Sequence, residues 1–163
     1  MSRLDPSPLP ISSWAEELSA GEAEIFARMW GGAESDAHGE PYLAHVARVA
    51  AASPADARAV AWLHDTLERT DLREQDLLLA GLSDDQLRAL RLLTRHTPPG
   101  HDQAYLGHVG FIARAAGRAG RMARSVKRAD LRDHITHERQ LPHRWAPPYR
   151  RALGLLDRVG APD

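Results

Sequence analysis

The chain contains no cysteine, no long apolar run and no excess of charge of either sign. Because cysteine is absent, disulfides, zinc-thiolate sites and cysteine nucleophiles are excluded. No apolar run approaches the ~18 residues that a membrane helix needs, and the first residues lack the apolar segment of a secretory signal. The net charge of −1 gives no electrostatic reason to expect nucleic acid or a membrane as the main partner. These absences fit a cytoplasmic protein.

Length and composition indicate one globular domain with enough residues to form a sizeable core. The chain has 163 residues, of which 43% are hydrophobic and 26% charged, values that are ordinary for a globular protein. Residues 1–12 contain three prolines and little periodicity, so we expect a flexible N-terminal arm before a domain at 13–163. Histidine is the unusual feature, with nine residues in a chain of this length.

Capping residues and apolar spacing predict an all-α domain, a compact bundle of roughly seven or eight helices. No segment shows the sustained alternation of a β-strand. Ser13 with Glu16, and Ser83 with Gln86, have capping-box spacing. The stripe after the first box consists of Trp14, Leu18, Ile25, Phe26 and Met29. The predicted helices cover approximately 13–31, 41–52, 54–69, 71–81, 83–94, 102–116, 121–137 and a last one opened by Pro147.

The stretch AWLHDTLERT places three ionisable side chains on one side of the third predicted helix. A continuous helix turns by about 100° per residue, so Glu68 lies within about 40° of His64 and near the midpoint between His64 and Asp65. A histidine nitrogen with two carboxylates suits a divalent cation and a positioned base. The simpler alternative is a partly buried His-Asp pair at a helix edge.

Two further polar residues lie where a helix should face the core. His45 is on or beside the apolar face of its helix, and Asp130 points inward with Val126. A satisfied core histidine is the simpler interpretation of His45, but a buried polar group needs a partner, and a metal is one candidate. With His64 and Asp65 they form a set of two histidines and two aspartates from three helices. Such donors favour Mn²⁺, Fe²⁺, Zn²⁺ or Mg²⁺ over copper(I) or clusters.

Two other groups of basic residues have alternative interpretations. The arginine-rich run 114–132 is typical of a phosphate-binding patch, but most of it points away from Asp130, so we interpret it as a solvated face. His96 and His101 flank a Pro-Pro-Gly loop and either cover the mouth of the site or lie on a surface loop.

Three segments resemble, in order, motifs of a known superfamily. GEPYLAHVARVA resembles a Pro-Tyr-x-x-His segment, AWLHDTLERTDL a His-Asp-Thr-x-Glu-Asp-Thr segment, and VKRADLRDHI a Val-Lys-x-Ala-Asp segment. These are motifs of the RelA/SpoT-type alarmone hydrolases and their small stand-alone relatives. They form one branch of the HD-domain superfamily, which consists largely of metal-dependent phosphohydrolases. The resemblance covers roughly residues 25–140.

The resemblance implies a hydrolase that uses metal-activated water on a small phosphorylated substrate, such as a nucleotide. In the family pattern, Glu68 would orient or activate the attacking water, while Lys127 and His134 would line the nucleotide site, with Lys127 neutralising developing charge. The typical metal of the branch is Mn²⁺. The implied metal ligands are His45, His64, Asp65 and Asp130.

This chain departs from that pattern at several positions. Arg69 follows Glu68 where the branch has an aspartate, His134 replaces a usual asparagine, and SDAHG at 35–39 replaces a basic stretch. Arg69 would bind substrate by stabilising phosphate charge, or be exposed at the helix end. A second hypothesis is therefore a catalytically degenerate HD domain that acts as a metal- or nucleotide-binding regulatory module. A third is a plain helical interaction protein.

Overall fold

Helices make up nearly all the regular structure in the described part of the computed structural model, which comprises residues 17–31, 41–96, 102–137 and 146–159. These ranges contain no β-strand, so the all-α prediction is confirmed. The α-helices are α1 Ala20–Gly31, α2 Tyr42–Ala52, α3 Arg58–Leu63, α4 Thr66–Arg69, α5 Glu74–Leu79, α6 Asp84–Leu93, α7 Asp102–Arg114, α8 Gly117–Thr136 and α9 Ala146–Val159. A short 3-10 helix, Ala55–Ala57, precedes α3.

The capping box predicted at α6 is present. The Ser83 hydroxyl accepts a hydrogen bond from the Gln86 amide at 3.3 Å, and the Gln86 side chain accepts one from the Ser83 amide at 3.0 Å. Pro41 directly precedes α2, which begins one residue later than predicted, and Pro147 lies in the first turn of α9. These helix boundaries can be predicted from residue types, because they depend on local hydrogen bonds and on the fixed backbone geometry of proline.

The first helix begins later than predicted, and a different set of its residues faces the core. The Ser19 and Glu22 side chains form the cap, so α1 starts at Ala20. Ile25 and Met29 were expected to face the core but are 61% and 73% exposed. The helix instead buries small residues, including Ala23, against α3, which allows close approach of the two backbones. The predicted cap at 13 and the stripe position at 14 lie outside the described residues.

Two later boundaries also differ from the predictions. The fourth helix was predicted over 71–81, whereas α5 begins after Arg73, whose amide donates to Asp76 at 2.8 Å. The GRAG segment was expected to separate two helices but forms the first turn of α8. Gly117 has a positive φ of 72°, and a Cβ on Gly120 would overlap a backbone carbonyl of the preceding turn. Glycine therefore permits a tight α7–α8 connection.

The third predicted helix is broken at the site. The prediction was one helix over 54–69, but α3 ends at Leu63 and α4 begins at Thr66. Asp65 lies in the intervening turn with φ −102° and ψ −1°, well away from the helical ψ of about −42°. The residues after the turn consequently project in directions that a continuous helix does not give.

Helix α8 is the central element of the fold. It packs against α2, α3, α6, α7 and α9, and its inward face includes the fully buried Val126 and Leu131. The buried polar side chains among the largely apolar residues of this core include His45, His64 and Asp130. No helix in the described ranges is both long and apolar enough to span a membrane.

Candidate metal centre

Three helices bring three of the four predicted ligands together. His45 comes from α2, His64 directly follows α3, and Asp130 comes from α8. The His45 Nε2 atom lies 3.3 Å from Asp130 Oδ1, and the His64 Nε2 atom lies 4.0 Å from the same oxygen. One donor atom from each residue lies within 4.8 Å of the other two. These residues, which we call the metal-ligand group, could therefore bind a metal ion.

The remaining ring nitrogens of both histidines are held by other groups. His64 Nδ1 lies 2.8 Å from the carbonyl oxygen of Ala61. Because a carbonyl only accepts, His64 Nδ1 carries the hydrogen, and its Nε2 lone pair faces the group. His45 Nδ1 lies 2.8 Å from Asp133 Oδ2. Histidine ligands of metals characteristically have their second nitrogen fixed by a carbonyl or carboxylate in this way.

The two nitrogens that face the group have no hydrogen-bond partner. Both His45 Nε2 and His64 Nε2 are buried without a hydrogen bond. A buried polar atom without a partner is costly, and a cation between these nitrogens and Asp130 would satisfy both of them. The donor set, two imidazole nitrogens and a carboxylate, fits a divalent ion such as Mn²⁺, Fe²⁺ or Zn²⁺.

Asp133 is a residue of the centre that the sequence analysis did not assign. Its carboxylate receives His45 Nδ1 and also a two-point contact from Arg48, at 2.7 and 2.9 Å. Partial burial alone would raise the pKa of Asp133, but the hydrogen bonds to His45 and Arg48 hold it well below its usual range. The signal for this residue was its position three after Asp130, on the same face of α8.

The charge of Asp130 is compensated within the centre. Its Oδ2 atom lies 2.7 Å from Lys127 Nζ, and its Oδ1 atom lies 3.1 Å from His134 Nε2. Burial opposes ionisation, but these partners keep the pKa of Asp130 well below its usual range. Lys127 is the only lysine in the chain, and Asp130 raises its pKa despite burial. Lys127 and His134 therefore both lie beside the metal-ligand group.

The pKa of His45 is raised by two neighbouring carboxylates. Burial of the ring disfavours the cation, but the nearby carboxylates of Asp130 and Asp133 outweigh burial and raise the pKa of His45 to about 10. Without a metal ion, the ring is therefore protonated at neutral pH. A metal ion would have to displace that proton in order to bind the ring nitrogen.

Asp65, the fourth predicted ligand, lies beside the metal-ligand group. Its Oδ1 atom is 3.4 Å from His64 Nε2, and its Oδ2 atom is 3.1 Å from Arg69 Nε. The Arg69 guanidinium also lies 5.3 Å from the centre of the Tyr42 ring. Arg69 is therefore anchored at the edge of the centre, with its side chain 41% exposed. One oxygen of Asp65 faces the histidine and the other is held by a cation.

The Glu68 side chain contacts Arg95, which follows α6. One carboxylate oxygen accepts a hydrogen bond from the Arg95 main-chain amide at 2.5 Å, and the other lies 3.6 Å from the Arg95 guanidinium. Glu68 lies on the short helix α4, which begins after the break that follows Leu63. Arg95 follows α6 and was not identified from the sequence, because nothing local marks a contact that spans 27 residues.

Aromatic rings line one side of the centre. The His134 ring stacks on the His45 ring at 4.6 Å and contacts the Tyr149 ring at 5.1 Å. The Tyr149 ring lies 5.5 Å from that of Tyr105, which in turn lies 5.5 Å from Lys127 Nζ. Burial, with Tyr105 and Asp130 nearby, raises the pKa of Tyr149 to about 12. Neither tyrosine is among the site residues predicted from the sequence.

The remaining sequence predictions have mixed outcomes. His96 is exposed just after α6, whereas His101 and the SDAHG segment at 35–39 lie outside the described residues. The arginine-rich run is only partly a solvated face. Arg128 donates hydrogen bonds to the Asp157 carboxylate and to the Leu156 carbonyl oxygen, both at 2.8 Å. This arginine of α8 therefore contacts α9 directly.

Comparison of the sequence with models of known protein families found no match, and comparison with functionally curated proteins found none. The candidate centre is therefore supported by its own geometry. The resemblance to the HD-domain superfamily stays a prediction from three short motifs.

Proposed function

We propose that the protein is a metal-dependent phosphohydrolase that acts on a nucleotide or a related phosphate ester. The observation that carries the proposal is the pair of buried Nε2 atoms of His45 and His64, which lack hydrogen-bond partners and lie beside Asp130. A structural histidine in a core would find a partner within the protein. The order of these residues in the sequence motifs supports the same class of enzyme.

His45, His64 and Asp130 would hold the ion, with Asp65 Oδ1 as a fourth donor beside His64. Mn²⁺ is the ion we propose, on the resemblance, and Fe²⁺, Zn²⁺ and Mg²⁺ suit the same donors. When bound, such an ion polarises a phosphoryl oxygen and lowers the pKa of a bound water. The buried position of the ligands limits competition from bulk water.

The neighbouring residues would supply proton transfer, charge compensation and phosphate binding. Glu68 is the proposed proton acceptor, and Arg95 restrains the carboxylate so that one oxygen keeps only a long contact of 3.6 Å. Lys127 compensates charge from its position at Asp130. Arg69 and His134 remain partly exposed at the edge of the centre, where they would bind a phosphate group of the substrate.

A second candidate function is a regulatory module that binds a metal or a nucleotide without hydrolysis. The observation that favours it is the pairing of both nearby carboxylates with cations, Glu68 with Arg95 and Asp65 with Arg69. Each of these carboxylates contacts a guanidinium, which competes with a water molecule for its oxygens. In this alternative the centre keeps its ligands but has no effective proton acceptor.

Metal analysis of the purified protein, followed by a phosphatase screen over nucleotides that include alarmones, separates these functions. We expect about one divalent ion per chain and hydrolysis of at least one nucleotide. Glu68→Gln should keep the metal and lose about 100-fold or more in rate, the usual contribution of a general base. Glu24→Gln, an exposed glutamate of α1, is the matched control.

Metal content without hydrolysis of any nucleotide in the screen would favour the regulatory module. Absence of bound metal after incubation with each candidate ion would contradict both functions. Equal rates for Glu68→Gln and Glu24→Gln would remove Glu68 from the mechanism.

A further inference from the structure

A second concentration of charged side chains surrounds a small cavity between α4, α5 and the end of α6. The cavity has a volume of about 280 Å³. Its lining includes three arginines and one histidine, namely Arg73, Arg91, Arg95 and His96. Glu74 is the only carboxylate among the described residues that line it. The lining is therefore strongly basic, although the whole chain has a net charge of only −1.

Two of the three arginines have acidic partners. Arg91 and Glu74 form a two-point pair, with distances of 2.8 and 2.6 Å. The Arg95 guanidinium lies 3.6 Å from Glu68, outside hydrogen-bond range. Among the residues that the structure describes, the Arg73 guanidinium makes no ion pair. Positive charge therefore remains in the cavity after all internal pairs are counted.

The size and chemistry of the cavity point to a compact anion. Pockets for drug-sized ligands have volumes of about 300–1,000 Å³, so this cavity lies just below the range for a whole ligand and suits a single group. Guanidinium groups present several planar donors that match phosphate oxygens in two-point contacts. A carboxylate, with fewer acceptor positions and a single charge, would satisfy fewer of these donors.

We propose that this cavity is a phosphate-binding site, separate from the metal-ligand group, that takes inorganic phosphate or a phosphate group of a larger molecule. Arg73 supplies donors that have no acidic partner among the described residues, and Arg91 and Arg95 add charge from their pairs with Glu74 and Glu68. Arg95 also lies 5.8 Å from the ring of Tyr105, so one residue borders both the cavity and the aromatic side of the candidate centre. The site does not depend on bound metal or on hydrolysis.

Calorimetric titration of chelator-treated protein with inorganic phosphate, pyrophosphate and adenosine diphosphate tests the site. Chelation removes any contribution from a metal-bound phosphate. Arg73→Gln should weaken binding about tenfold or more, because it removes charge-assisted hydrogen bonds. Arg88→Gln is the matched control, since this exposed arginine of α6 does not line the cavity and should leave binding unchanged.

The outcomes separate the source of the phosphate and the validity of the site. Tighter binding of inorganic phosphate or pyrophosphate supports a free anion as the ligand, and tighter binding of adenosine diphosphate supports a phosphate carried by a nucleotide. Absence of binding to the unsubstituted protein would overturn the proposal. Equal weakening by Arg73→Gln and Arg88→Gln would also overturn it, since that result indicates diffuse attraction by surface charge.

Discussion

The metal-ligand group and the basic cavity differ in how far their charged side chains are buried and paired. In the group, the buried carboxylate of Asp130 is held by Lys127 and His134, and the two buried Nε2 atoms of His45 and His64 are left without hydrogen-bond partners. In the cavity, the arginines lie at the surface, and Arg73 has no acidic partner among the described residues.

The difference follows from the solvent. A buried charge without a partner costs several kcal/mol, so the fold must satisfy it, and an atom that stays unsatisfied there indicates a missing ligand. A surface charge is solvated, so the fold tolerates an excess, and local excess itself indicates a site for an anion. Orphaned nitrogens identify the first region, and uncompensated cations identify the second.

The largest expected effect comes from removing the buried carboxylate. Asp130→Asn leaves Lys127 buried without its counter-ion, so we expect a loss of about 3–5 kcal/mol in the free energy of unfolding. Urea denaturation of chelator-treated protein measures it. Asp157→Asn is the matched control, because its contacts with Arg128 lie nearer the surface and the expected loss is about 0–1 kcal/mol. Similar losses in the two variants would contradict the contrast between buried and exposed charge.

The second effect concerns the support of His45. Asp133→Asn removes the carboxylate that fixes the ring and its tautomer, so metal affinity should fall about 10- to 100-fold. Competition with a chelator of known affinity measures the change. The folded state should persist, as judged by circular dichroism, because Asp133 is only partly buried. Unchanged affinity would show that His45 needs no fixed partner to bind the ion.

The third effect is a pH dependence of metal binding. The pKa of His45 is about 10 in the metal-free fold, so binding releases one proton, and affinity should rise about tenfold per pH unit between pH 6.5 and 8.5. His45 stabilises the metal-free fold fully below its unfolded pKa of about 6.5, and this contribution is lost as the pH rises toward 10. Chelator competition at several pH values checks the slope, and a flat profile would contradict a protonated His45.

The smallest effect is expected in the basic cavity. Glu74→Gln frees Arg91 from its exposed pair and should leave the unfolding free energy nearly unchanged. Phosphate binding should strengthen, because one negative charge leaves the lining. Parallel denaturation and phosphate titration give both quantities. Weaker phosphate binding in this variant would show that the Glu74–Arg91 pair positions the site rather than opposing it.

Much of the candidate centre could be predicted from the sequence because its polar residues occupy helix positions that face an apolar core. His45, His64 and Asp130 lie at core-facing positions of helices, where polar side chains need a reason. The same helical periods predicted the all-α fold, and the box of Ser83 and Gln86 predicted where α6 begins.

The orientation of Glu68 could not be predicted, because the break between α3 and α4 has no local signal. No proline or glycine occurs between Arg58 and Arg69, so a continuous helix was the reasonable expectation. The contact of Glu68 with Arg95 depends on how α4 meets the end of α6, which is set by tertiary packing. Pairings between distant segments of this kind are decided by the assembled core and not by spacing along the chain.

The central claim is that His45, His64 and Asp130 bind one divalent ion. Elemental analysis of protein reconstituted with Mn²⁺ and freed of excess metal tests it most directly, with His64→Gln beside His108→Gln, a histidine of α7 outside the group. We predict about one ion per chain in the unsubstituted protein and in His108→Gln, and almost none in His64→Gln. Equal metal content in the two variants, or none in the unsubstituted protein with any candidate ion, would contradict the account.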